Sequence, residues 1–299
     1  MLATYYKFAR NWCDVMLMMR WRGSKLQSLI GRRSDGGPLD AALAAGNGAI
    51  LISPHLGNWE LGGLGLADMG YTLNVLTFRE PDEKVNELRE QVRLERGIRF
   101  IYVDRNDTSP LAVIEAVNAL RRNEILALLG ERDGSSHTMT LDFFGRQASI
   151  PVGAAYLAMA SGAPVIPVFV PLEGNHYATI MEAPIYFRGG HADHAGSIGD
   201  GTERILRVFE KYIRRYPDQW YNFFDYWGRE NINKEKFIDV RRIDRPGETT
   251  DYRQPPHRGD GDQRHRDGRS PVRRRVGARL HRRSATGGRD GKGIRRCRP

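Results

Sequence analysis

His55 and Glu60 stand five residues apart in Ser53-Pro54-His55-Leu56-Gly57-Asn58-Trp59-Glu60, a base and a carboxylate close enough in the chain to work together. An alcohol is a poor nucleophile at neutral pH. An imidazole of ordinary pKa, about 6.5, can take its proton during attack, and such help is worth about 10²–10⁴ in rate. A carboxylate on the other ring nitrogen fixes the tautomer and steadies the imidazolium. The pair therefore suits attack by an acceptor hydroxyl on an acyl group. There is no Gly-x-Ser-x-Gly elbow, and Cys13 lies in a helix-like segment far from His55, so direct attack by the acceptor is favoured over an acyl-enzyme. The same two residues also fit a structural loop histidine and a solvated first-turn acid.

The flanking elements decide whether the two side chains meet. Ala49-Ile50-Leu51-Ile52 reads as a short buried strand, and Trp59 with the apolar residues after it as the start of a helix. Five residues inside one helix would separate the side chains by roughly 140°. His55 must then sit on a loop, bent by Pro54 and Gly57, with Asn58 as N-cap of the helix carrying Glu60 and as a candidate substrate-binding side chain. Further strands are expected near 71–77, 99–103, 124–129, 138–143, 164–170 and 177–187, and helices over 59–68, 82–95, 110–122, 151–161 and 201–215. This alternation predicts an α/β fold, a single layered domain with a mainly parallel central sheet flanked by helices. Ligands collect at the carboxyl ends of such strands, and His55, Arg79 and Glu131 each follow one.

His55-Leu-Gly-Asn-Trp-Glu60 resembles the His-x4-Asp/Glu motif of the lysophospholipid acyltransferase superfamily, in the form used by bacterial lipid A late acyltransferases. Thr77-Phe78-Arg79-Glu80-Pro81, Glu131-Arg132-Asp133-Gly134, Phe143-Phe144-Gly145-Arg146 with Ile150-Pro151-Val152-Gly153, Ala163-Pro164-Val165-Ile166-Pro167-Val168 and Tyr216-Pro217-Asp218-Gln219-Trp220 resemble further blocks of that family, in order, over roughly residues 5–230. The resemblance implies an O-acyltransferase of the His-x4-Glu type. It would move a fatty acyl chain from an acyl carrier protein or CoA thioester to a hydroxyl of a lipid A precursor or related glycolipid, with no metal and no cofactor beyond the donor. It makes His55 the general base and Glu60 its orienter.

Arg79, Glu131, Asp133, Arg146 and Asn58 are the candidate substrate-binding residues. Arg79 suits a phosphate of donor or acceptor, or an ion pair with Glu80 or Glu83. Glu131 and Asp133 suit the acceptor sugar, an electrostatic anchor through Arg132, or a capped turn. Arg146 follows Gly145 on an expected turn, while Phe143, Phe144 and Ile150 are expected in the core. Two other readings stand beside the transferase: a non-catalytic acyl-lipid or carrier-binding protein of the same fold, and a thioesterase-like hydrolase with water in place of the alcohol.

Charge divides the chain. The 299 residues carry a formal +10, but residues 245–299 hold 17 Lys/Arg against 6 Asp/Glu, leaving 29 against 30 in the remainder. The body gives no support to nucleic-acid binding. Three parts are expected: an N-terminal amphipathic helix (1–30), an acyltransferase domain (31–240) and a basic, unstructured tail (241–299) whose abrupt Arg-rich composition also fits an out-of-frame extension. Tyr5, Phe8, Trp12, Val15, Met16 and Met19 fall at helical spacing beside basic residues, which suits either a membrane-surface helix or a core-packing one. No run approaches the roughly 20 apolar residues of a membrane span. The expected location is peripheral, on the cytoplasmic face of the inner membrane. The aromatic run 220–227 suits a belt at the membrane or a cover over the acyl chain, and Arg204, Arg207, Lys211, Arg214 and Arg215 suit an acidic carrier protein or a solvated helix face. His191, Asp193 and His194 lack a recognised metal-ligand spacing.

Overall fold

A computed structural model of the chain describes residues 2–18, 20–78, 95–103, 110–132, 137–187 and 194–228, all within one compact unit, Met1–Arg245. The central sheet has six strands in the order β11 (Ile180–Met181), β8 (Val165–Phe169), β2 (Ala49–Ser53), β5 (Ile125–Leu129), β3 (Leu73–Phe78) and β4 (Arg99–Val103). All neighbours run parallel except β11, which pairs antiparallel with β8. Every residue of β2 is buried, as a strand covered on both faces requires. Its side chains alternate between two apolar clusters. Ile50 and Ile52 enter one, with α5 (Leu111–Arg121), α6 (Gly153–Ser161) and α7 (His194–Arg215); Ala49 and Leu51 enter the other, with α1 (Leu2–Met18), α2 (Gly23–Gln27), α3 (Gly37–Ala44) and α4 (Trp59–Asp68).

The expected helix over 59–68 is α4, and the strands over 49–53, 99–103 and 138–143 coincide with β2, β4 and β6 (Thr138–Phe143). The expected helix over 82–95 lies outside the described residues except for Glu95, which is in a turn. The expected strand over 177–187 is not one element. It divides into β10 (His176–Ala178), in a small sheet with β1 (Ile30–Arg32) and β9 (Leu172–Glu173), and β11 in the central sheet. A period of two cannot report such a change of partner. Arg146 opens β7 (Arg146–Pro151) rather than occupying a turn: Phe144 and Gly145, at φ 60° and 78°, form the two-residue link from β6, the positive-φ pair that matches strand twist.

The N-terminal helix is no separate body. Val15 and Met18 enter the core while Leu2, Tyr5, Tyr6, Met16 and Leu17 stay exposed, so α1 packs and still presents an apolar outer face.

Glu173 joins three elements. Its carboxylate accepts from Arg32 at 2.8 and 3.1 Å and from the Tyr216 hydroxyl at 2.5 Å beyond the end of α7, and the Arg32 bonds first, then Tyr216, hold its carboxyl down at about 2. A depressed folded-state value means stability that is present above the ordinary carboxylate range and is lost as pH falls toward 2. Urea unfolding of the Glu173→Gln variant against the parent should differ at pH 6 and converge toward about pH 2. An equal gap at both ends would remove the carboxylate from the account.

Candidate active site

His55 lies two residues past the end of β2, and residues 219–221 together with Val170 hold its loop. Tyr221 N donates to His55 O (2.9 Å), Gly57 N to Gln219 O (3.0 Å) and Asn58 N to Val170 O (2.8 Å). The Gln219 side chain is itself fixed, accepting from Leu172 N (2.7 Å) and donating to Leu172 O (2.9 Å). Gly57 at φ 67° is where the loop turns against β8's exit. A Cβ there would fall on the Val170 carbonyl oxygen, and 2.7 Å from its carbon. Asn58 caps α4 through Oδ1, which accepts from Leu61 N at 2.9 Å. It is fully buried with its amide against the Met18 sulfur, so its contacts are those of a cap rather than of a substrate ligand.

The acid at the base is Glu131. One oxygen, Oε1, accepts both the His55 backbone N–H (2.9 Å) and Nδ1 (2.8 Å). The expectation from sequence was Glu60, yet the sheet explains the difference. Ser53 pairs in register with Leu129, so His55 and Glu131 each lie two residues past partnered positions on adjacent parallel strands and leave the sheet side by side. Gly130 permits this close exit, because a Cβ would lie 2.7 Å from Ile52 Cγ1. Glu60 occupies the first turn of α4 and lines the same cavity as His55.

Glu131 is wholly buried. Burial by itself raises its carboxyl, but the charge and hydrogen bond of His55, then Arg132, outweigh that and hold it below its ordinary value. Arg132 Nε stands 3.4 Å from the same Oε1, its Nη2 donates to Tyr221 O, and the Tyr226 hydroxyl donates to Glu131 O. A charged acid at the floor is thus matched by a half-buried cation. With Nδ1 engaged by Glu131, Nε2 is the ring nitrogen that could accept a proton. Trp59 meets the ring edge to face at 5.4 Å, which fixes its plane.

The remaining candidates divide. Arg79 and Asp133 lie outside the described residues. Arg146 is exposed with its guanidinium 5.3 Å from the Trp227 ring, and it is not among the residues lining the cavity at His55. Phe143 and Ile150 are fully buried core. The basic stripe of α7 is largely paired: Arg207 with Glu203, Lys211 with Glu182, Arg214 with Glu210 and Arg215 with Glu173. Sequence reading missed the clamping role of Gln219 and Tyr221, whose only signals were the Tyr-Pro-Asp-Gln-Trp run and the aromatic run 220–227.

His55, Glu60 and Arg132 open onto one cavity of about 1240 Å³, larger than the roughly 300–1,000 Å³ of an ordinary small-molecule site. Phe8, Tyr221, Phe223 and Phe224 also line it, and Tyr5 stacks on Phe223 at 5.0 Å. Among the described residues no helix is long and apolar enough to cross a membrane, and no group of three or more His, Cys, Asp or Glu side chains could hold a metal ion.

Residues 1–229 match the family model for bacterial lipid A biosynthesis acyltransferases. Phosphatidylinositol mannoside acyltransferases of Mycobacterium tuberculosis, strains CDC 1551 / Oshkosh and ATCC 25618 / H37Rv, are each 28% identical over 228 residues, which is 76% of this chain and 70% of theirs. One with the same description from Mycolicibacterium smegmatis is 26% identical over 187 residues, 62% of this chain and 59% of its own length.

Proposed function

Because the chain belongs to the bacterial lipid A biosynthesis acyltransferase family and is an acyltransferase, we propose that it moves a fatty acyl chain from a thioester, acyl carrier protein or CoA, to a mannose hydroxyl of a phosphoinositide-anchored glycolipid. The relatives favour that acceptor over a lipid A precursor, since all three are described as acting on phosphatidylinositol mannosides. The observation that carries the mechanism is the 2.8 Å contact from Glu131 to His55 Nδ1. His55 Nε2 takes the acceptor's proton while its oxygen attacks the thioester carbonyl. The tetrahedral intermediate collapses with cleavage of the C–S bond, and the imidazolium returns the proton to the departing thiolate. Glu131 holds the tautomer and offsets the imidazolium charge from below. Glu60, which lines the same cavity as His55, supports the acceptor hydroxyl in a layered domain of the His-x4-Glu type, with Arg79 and Asp133 as further substrate-binding candidates.

The exposed Phe223 and Phe224 line the cavity and the exposed Tyr5 stacks on Phe223, and we infer that this edge rests on the membrane surface, where aromatic side chains favour the boundary between apolar and wet layers. Purified full-length protein given palmitoyl-CoA should release free thiol only when phosphatidylinositol mannoside is added, with an acylated glycolipid as the product. Thiol release independent of acceptor would support the hydrolase reading, and donor binding without release the non-catalytic one.

A further inference from the structure

The cavity reaches both faces of the central sheet. Leu51, Val75 and Ala127 line it from the face covered by α4, and their neighbours Ile52, Leu76 and Leu128 from the face covered by α6. Successive strand residues point to opposite faces, so the space has two lobes that meet at the strand ends beside His55.

Helix α4 runs away from that junction and is unusually poor in side chains. Gly62, Gly63 and Gly65 all line the cavity within a ten-residue helix, although each glycine costs a helix roughly 1 kcal/mol against alanine. Two of them have ordinary packing reasons: a Cβ at Gly62 would touch Val170 at 3.0 Å and one at Gly63 would touch Leu73 at 3.4 Å. Gly65 has none. It is buried, in helical conformation, and a Cβ there would meet nothing within 4 Å among the described residues. With no described neighbour there, Gly65 borders the cavity that it lines. It shares the inward face of α4 with Leu61 and Leu64 and lies six residues past Trp59, about 9 Å down the helix from the turn beside His55. His137, Ser149 and Tyr156 line the other lobe.

We propose, resting on the transferase reading above, that the donor's acyl tail lies in the α4 lobe and that the absence of a side chain at Gly65 sets the length of tail the protein accepts. A residue added there fills the space that the distal carbons occupy and leaves His55 and Glu131 in place.

The test compares Gly65→Leu, Gly65→Ala and Gly153→Leu in the full-length protein. Gly153 opens α6, lines the other lobe and likewise has room for a Cβ, with nothing among the described residues within 4 Å of where one would lie, so it serves as the control. Binding of octanoate, laurate, palmitate and stearate is measured by calorimetry, and transfer from the corresponding acyl-CoA esters in parallel. Gly65→Leu should weaken laurate, palmitate and stearate at least roughly tenfold relative to octanoate, in line with the 10–200-fold that a methylene-sized mismatch is worth in an apolar pocket. Gly65→Ala should shift the profile in the same direction by less, while melting no lower than the parent, which separates the effect from misfolding. Gly153→Leu should leave the profile unchanged. An unshifted chain-length profile in folded Gly65→Leu, or a shift produced by Gly153→Leu alone, overturns the assignment. Fatty-acid binding that shifts as expected in a protein that transfers nothing would reject the transferase reading and keep the tail site.

Discussion

Glu131→Gln should lower kcat for acyl transfer by about 10²–10⁴, the range lost when the orienting acid of a histidine base is neutralised, with little change in KM for the donor. The amide can still accept the two bonds that Oε1 receives from His55, so the loss is one of charge: the imidazolium formed during attack no longer has its anion at 2.8 Å. His55→Ala should cost at least as much. Because the two residues act as one unit, the double variant should be scarcely worse than His55→Ala alone, a large departure from additivity. Glu60→Gln should cost less than Glu131→Gln, since Glu60 is proposed to act on the acceptor and not on Nδ1. Additive losses at His55 and Glu131, or full activity in Glu131→Gln, would contradict the pairing.

Gly57→Ala should be the most damaging single change to the loop. The left-handed backbone costs a non-glycine residue about 1–2 kcal/mol, and the collision with the Val170 carbonyl adds about 1–3 kcal/mol of overpacking. That partner is backbone, so it cannot rotate away. A combined loss of about 2–5 kcal/mol corresponds to a fall of roughly 4–20 °C in Tm for a domain of this size. Whatever protein remains folded should transfer poorly, because moving Gly57 disturbs its bond to Gln219 and the neighbouring Tyr221 bond to His55. Melting by circular dichroism and a single-turnover assay on the soluble fraction check both parts. Unchanged Tm would mean the loop is not held against β8.

Much of the scaffold was legible because it is local. The four-residue apolar run of β2, the Asn58 cap and the apolar α4 follow from residues within a few positions of one another. The expectation that His55 and Glu131 follow separate strands was also readable from pattern. Their pairing was not, since it depends on β2 lying next to β5 with Ser53 opposite Leu129, a register that no linear spacing encodes. Proximity in sequence favoured Glu60; proximity in the sheet delivered Glu131. The Tyr216–Trp220 run has the same lesson. Gln219 is unremarkable until Gly57 and Leu172, 162 and 47 residues away, are seen bonded to it. The division of residues 177–187 between two sheets is likewise a property of partners, not of hydropathy.

The most direct test is the position of one proton. Nitrogen NMR of histidine-labelled protein at about pH 8, where an ordinary imidazole is neutral, with the His55 signals assigned from the spectrum of His55→Ala, reports which ring nitrogen carries hydrogen. A proton on Nδ1, donated to Glu131, with Nε2 bare toward the cavity, is the predicted result. A proton on Nε2 with Nδ1 bare would leave no base facing the acceptor and contradict the mechanism.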